Sequence, residues 1–205
     1  MSFAQQNWQG FHWSFFLNVQ GLLMCLRRFE GAIALNDIPS AQVELDSATT
    51  LMLASAASME LAGSFSTQEY ETTVRPSMTP PHVESDNFSG LMSWAHAVLV
   101  QLWKRLSPTF AALPPALHSH HDRFVAAYSE LARSHKAVCK KFVGDEGGSI
   151  RFERSTATDT LEKFGRVRTQ ALDPNHRVEG RFGSEKGRGG DGATPLQQEY
   201  RCPFH

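Results

Sequence analysis

The sequence predicts an all-α fold, a bundle of helices resting on a single core. Three observations carry this. Four long stretches repeat apolar residues at steps of three and four, the period of an amphipathic helix. No run alternates apolar and polar residues as a half-buried strand does. The breaks between the stretches collect Pro, Gly, Asn and Asp, the residues that end helices and form turns.

The first helix carries Phe11, Phe15, Asn18, Leu22, Leu26, Phe29 and Ile33 on one stripe, with Asn18 its one polar member. Gly31 and the run Asn36-Asp37-Ile38-Pro39-Ser40 mark its end and a turn. The second, from Ser40 to Phe65, sets Leu45, Ala48, Met52, Ala56, Met59 and Ala62 on one side. Its small residues Ala54, Ser55, Ala56, Ala57 and Ser58 allow a neighbouring helix to come close. A break from Arg75 to Asn87 follows, holding Pro76, Pro80 and Pro81.

The third helix is expected over Ser89 to Leu106. Leu91, Trp94, Ala95, Val98 and Leu102 line one face, and Met92, His96, Leu99, Val100 and Trp103 another. A helix apolar on two faces is one buried among several neighbours. Pro108, Pro114 and Pro115 are expected to end it. The fourth helix, Leu117 to Val143, carries Phe124, Tyr128, Leu131, His135, Val138 and Phe142, so His135 falls inside its core stripe. After the loop Gly144-Asp145-Glu146-Gly147-Gly148-Ser149 comes a weaker fifth helix, Ser155 to Leu172. From His176 onward glycine is frequent and no apolar period shows. Residues 1–175 therefore read as one helical domain and 176–205 as a disordered tail.

Composition excludes several classes. The 205 residues balance 20 Lys+Arg against 21 Asp+Glu, a net charge of −1, so no basic excess suggests nucleic-acid binding. A hydrophobic share of 41% argues against a wholly disordered chain. The first ten residues hold no Lys or Arg, so no secretory n-region is expected. The run from Phe11 to Leu26 is broken by His12, Ser14, Asn18 and Gln20, which argues against a membrane span. A cytoplasmic chain is expected. Three cysteines, Cys25, Cys139 and Cys202, make no disulfide framework. Cys25 reads as core packing and Cys202 as incidental.

Chemistry concentrates in the nine histidines. His96 and His135 fall on buried faces, where a hydrogen-bonded core histidine is commoner than a ligand. His135 and Cys139 stand at i and i+4, on one face of one helix. Imidazole is a good axial ligand for haem iron, and a nearby thiol can add to a haem vinyl group to make a thioether. The order differs from the usual Cys-x-x-Cys-His attachment. His118-Ser119-His120-His121 lacks the companion ligands of a zinc site and reads as a solvated helix start. Gly147-Gly148 follows no strand and precedes no Walker lysine, so it is no phosphate loop.

Arg133-Ser134-His135, then Gly144 to Ser149, then Arg154-Ser155-Thr156-Ala157-Thr158-Asp159 resemble the C-terminal part of tryptophan 2,3-dioxygenase. Val74-Arg75-Pro76-Ser77-Met78 and Phe88-Ser89-Gly90-Leu91-Met92-Ser93 are similar to two upstream elements of that family. Phe15-Phe16-Leu17-Asn18-Val19-Gln20 is similar to its first substrate-pocket helix. Val19 stands where the dioxygenase has a histidine facing the indole, and Glu146 where it has a substrate-binding threonine. His96 with His135-Lys136-Ala137-Val138-Cys139 is closer to the His-xn-His-x-x-x-Cys signature of the 3-methyl-L-tyrosine peroxygenases of the same superfamily.

That resemblance implies haem held between His96 and His135, with a thioether to Cys139. It implies oxygenation of the ring of an aromatic amino acid by hydrogen peroxide, with His135 as proximal ligand and His96 as opposite ligand and acid–base group. Arg75 would hold the substrate carboxylate; Glu146 and Ser149 would help fix its ammonium. Homo-oligomers are also implied. Three other readings stand beside it: an indole-opening dioxygenase using dioxygen, against which Val19 weighs; a non-enzymatic bis-histidine haem protein for electron transfer or sensing; and a helical interaction module whose histidines are core residues.

Overall fold

A computed structural model describes residues 2–82, 93–144 and 157–176. It is all-α, and no strand occurs among the described residues. The elements are α1 (Phe3–Ala34), α2 (Ile38–Ala62), the short α3 (Thr67–Glu69), α4 (Trp94–Ala111), α5 (Pro115–Val143) and α6 (Ala157–Leu172). After α3 the chain widens into a π turn at Tyr70–Val74 and tightens into a 3-10 turn at Pro76–Met78.

Local chemistry sets the helix ends. α1 begins well before the Phe11 stripe because Ser2 and Gln5 cap it reciprocally. The Ser2 hydroxyl accepts from the Gln5 amide (3.2 Å) and the Gln5 side chain from the Ser2 amide (3.0 Å). Asp37 caps α2 by accepting from the Ser40 amide (3.1 Å), with Pro39 in the first turn, where its missing N–H costs nothing.

The third helix departs from expectation at both ends. It starts at Trp94 under a Ser93 cap, and it runs through Pro108 to Ala111. Pro108 forfeits one backbone bond, yet Leu106 and Phe110 on either side are fully buried, and their packing carries the helix across it. Trp94, expected on an apolar face, is 71% exposed. Leu91, Met92 and the tail from residue 177 lie outside the described residues.

Five helices close into a ring, α1–α2–α5–α6–α4 and back to α1. α2 runs antiparallel to α1, tied by the Ser14 and Ser58 hydroxyls (2.8 Å) and by Asn7 donating to Ser64 (3.1 Å). Gly21 allows their closest approach, since a Cβ there would lie 2.8 Å from Leu51. α5 runs parallel to α2: His120 meets Asp46 near their beginnings, and Lys141 donates to the Gly63 carbonyl near their ends. α6 turns back along α5, with His121 Nε2 donating to the Leu172 carbonyl (2.8 Å) at one end and Lys136 paired with Glu162 near the other. α4 is parallel to α1, with Phe15 against His96 (6.0 Å between rings) and Phe29 against Phe110 (5.9 Å).

The core fills the ring. Phe29, Phe110 and Phe124 are fully buried, each burial contributing about 1.5–3 kcal/mol. A smaller cluster fastens the segment after α2: Phe142 of α5 stacks on Tyr70 (4.5 Å) and on Phe65 (5.0 Å). No described helix is long and apolar enough to cross a membrane.

Candidate functional site

α4 and α5 face each other as an antiparallel pair across the ring. Phe110 meets His121 (4.8 Å between rings), and seven residues along each helix Trp103 meets Tyr128 (5.5 Å). The same step of seven, taken once more on both helices, leads to His96 and His135. Seven residues are almost two full turns, so the three pairs share one face of each helix. The two histidines thus stand level, at the end of the ring opposite Phe110. Cys139 stands one turn beyond His135 on α5.

His96 is 5% exposed, in the first turn of α4, with the Phe15 ring beside it. His135 is partly buried; desolvation and the Arg168 charge push its imidazole down to about 4. It is therefore neutral at physiological pH, the form that ligates metal. Burial pushes the Cys139 thiol up to about 11, so it is a thiol and not a thiolate near neutral pH. A thiol in that state suits addition to a carbon–carbon double bond better than metal ligation.

The interior holds polar atoms that the protein leaves without partners. Trp103 Nε1 and Asn18 Nδ2 are buried donors with no acceptor, and the buried Ser134 hydroxyl, next to His135, has no partner either. Other helix hydroxyls behave differently: Thr49, Thr50, Ser55, Ser58 and Ser129 each donate to a carbonyl one turn back. Each buried orphan costs about 1–3 kcal/mol and calls for a guest with acceptor atoms. These donors and the level pair of imidazoles fit a flat apolar group that carries acceptors at its edge.

A concavity opens on the flank of α1. Trp8, His12, Trp13 and Phe16 form one wall, and Thr73, Pro76, Ser77, Met78 and His82 the other, enclosing about 610 Å³. That volume lies in the range of small-molecule sites. His12 Nδ1 donates to the Trp8 carbonyl (2.8 Å), and burial lowers its pKa despite that bond. Phe16 lies against Phe15 (5.8 Å), the ring that touches His96. Arg75 is exposed, between the cleft residues Thr73 and Pro76.

The sequence-predicted residues therefore separate into groups. By helix register His96, His135 and Cys139 fall toward the end of the ring opposite Phe110, and Arg75 flanks the cleft. Glu146 and Ser149 lie outside the described residues. The histidines near the start of α5 are not a solvated cluster: His121 is fully buried and bonded to α6, His120 pairs with Asp46 (2.9 Å) and His118 bonds the Leu113 carbonyl (2.9 Å). Among the described residues no three His, Cys, Asp or Glu side chains group as a metal site. Sequence reasoning missed Trp103, Tyr128, Ser134 and Arg168. The seven-residue ladder His96–Trp103–Phe110 against His121–Tyr128–His135 could have pointed to the first two.

Two comparisons with known proteins found matches. The profile of the SfmD 3-methyl-L-tyrosine peroxygenase family matches residues 2–120, more than half of the chain. A protein named 3-methyl-L-tyrosine peroxygenase, from Streptomyces lavendulae, is 27% identical over 179 residues, covering 82% of this chain. The chain spans about half of that relative, 47% of its length. No solved structure matches the chain.

Proposed function

The chain belongs to the SfmD 3-methyl-L-tyrosine peroxygenase family, and from that premise we propose that it oxygenates the ring of a tyrosine derivative at a haem held between α4 and α5. The observation that supports this most is the ladder from Phe110–His121 through Trp103–Tyr128 to the level pair His96 and His135. The overall reaction balances as one ring C–H and one hydrogen peroxide giving a ring hydroxyl and water. When bound, haem would supply the oxidising centre.

The chain's own residues have separate tasks. His135, neutral at working pH, would hold the iron from α5. His96 would hold the group from α4 and could move a proton for the oxidant. Cys139 would fasten the ring edge through its thiol, as a thioether to a vinyl group. The cleft holds the substrate ring among Trp8, Trp13, Phe16 and Met78. His12, its Nδ1 bonded to the Trp8 carbonyl, lines the same cleft. Arg75 at its rim pairs with the substrate carboxylate as a two-pronged ion pair. Glu146 and Ser149 take the ammonium by resemblance.

The test is reconstitution of the purified chain with haem. We expect a bis-histidine absorption spectrum in the unsubstituted chain that is lost in His135→Ala. We also expect conversion of 3-methyl-L-tyrosine to a product carrying one oxygen from labelled hydrogen peroxide. A chain that takes up no haem refutes the reading. A chain that takes up haem, stays bis-histidine with substrate and gives no product favours the electron-transfer alternative.

A further inference from the structure

The outer surface of the ring is not uniform. Nine large apolar side chains are exposed among the described residues, and eight of them belong to the α1–α2 hairpin and its turn; the other is Trp94. α5, by contrast, turns Arg123, Arg133, Lys136 and Lys140 to solvent. On α1, Trp13, Leu17 and Met24 stand four and seven residues apart, on one outward stripe, and are 70%, 68% and 61% exposed. The Ser14–Ser58 bond and the Gly21–Leu51 contact bring Leu17 level with Ala54 and Ser55 of α2. The outward residues of α2 along this stretch are Ala54, Ala57 and Leu61, all exposed. The two helices therefore share one outer face.

That face carries no charge. No Asp, Glu, Lys or Arg occurs from Met1 to Leu26, nor from Ser47 to Met59. Charge appears only at its border, in Arg27 and in the Arg28–Glu44 ion pair (3.7 Å). An apolar centre with a polar rim is the layout of a protein–protein interface. From Phe3 to Met24 the face is about 31 Å long. Two packed helices are about 20 Å wide, so it covers roughly 600 Å² in projection, more in accessible area. A stable interface takes about 800 Å² from each partner.

We infer that this face binds a second copy of the chain, and the inference does not rest on the haem reading. A two-fold contact sets one patch against itself, so any charge near its centre would meet its own like. A face without charge meets that demand and offers nothing to an acidic or basic partner. Large and small residues also alternate along it: a Cβ at Gly10 would meet nothing within 4 Å, which leaves a notch between Trp13, Leu17 and Leu61 that a side chain of the other copy can fill. Residues 177–205 are a poor cover, being rich in Arg, Lys, Glu and Gly with no apolar period. A lipid surface is a poor one too, because membrane-surface helices carry Lys and Arg beside the apolar stripe and α1 has none before Arg27. Trp13 also walls the cleft, so the second copy stands at the cleft's rim.

Sedimentation velocity on the full, haem-free chain tests this. The chain should sediment as a dimer at micromolar concentration. Leu17→Lys and Met24→Lys should each weaken the dimer at least about tenfold, with unchanged helix content by circular dichroism, since both side chains point away from the core. Trp94→Lys, equally exposed but off the hairpin, should leave it unchanged. A monomeric parent overturns the inference, whether or not that monomer co-sediments with anionic phospholipid vesicles. So does a dimer that both lysine substitutions on α1 leave intact, or one that Trp94→Lys weakens as much as they do.

Discussion

Replacing Ser134 by alanine should stabilise the haem-free chain. Its residue is 5% exposed, and its hydroxyl has no partner, although other hydroxyls in α2 and α5 bond back one turn. Removing a buried orphan hydroxyl should return about 1–3 kcal/mol. Alanine also outranks serine as a helix former, by roughly 0.5 kcal/mol. The expected gain is about 1.5–3.5 kcal/mol. For a domain of this size each kcal/mol moves Tm by about 2–4 °C, so melting should rise by about 3–14 °C. Circular dichroism melts and urea titration at neutral pH on the haem-free protein measure it, with an unchanged urea slope marking an unchanged fold. A Tm that falls or stays put refutes the reasoning. It would mean that the hydroxyl is satisfied and that the interior is not a bay waiting for acceptor atoms.

Phe110→Ala should cost about 3–5 kcal/mol by denaturant titration, because that ring is fully buried against Phe29, His121 and Phe124; Trp94→Ala, 71% exposed, should stay within about 0.5 kcal/mol. Cys139→Ala should release haem to acid–acetone, whereas haem in the reconstituted unsubstituted chain should stay with the polypeptide; free extraction from that chain removes the thioether. Burial lowers the His12 pKa in the folded chain, so the unfolded chain binds the proton more readily as pH falls through the ordinary histidine value of about 6.5. The stability it permits is thus full above that value and declines below it, and His12→Gln should show a shallower acid decline in pH-dependent melts. Arg75→Gln should weaken binding of 3-methyl-L-tyrosine, read by the spectral change it induces, while leaving the substrate-free haem spectrum unchanged; an altered resting spectrum would move Arg75 from substrate to cofactor.

Much of this fold can be read from single-helix periodicity. The stripe from Phe11 to Phe29 and the row Leu45 to Ala62 are buried as their spacing implies, because a three-and-four repeat fixes one face of one helix whatever its neighbours. Pro108 misleads, since a proline signals a break only where packing does not hold the helix on both sides of it. Trp94 misleads for the opposite reason: an apolar residue at a helix start meets a neighbour only if one reaches that far. The candidate site divides the same way. His135 and Cys139 share a helix, and their alignment is local. Pairing His96 with His135 requires knowing that α4 and α5 are antiparallel and offset so that Phe110 meets His121.

The aromatic end of the ring is sealed. Phe29, Phe110 and Phe124 plug it, Leu172 is held down by His121, and Asn175 ties the chain after α6 to the Ala111 carbonyl (2.7 Å). No guest therefore comes and goes by that end, as with a bottle stoppered at its base. Damage at the base spills the whole vessel, whereas changes at the mouth alter only what it will hold.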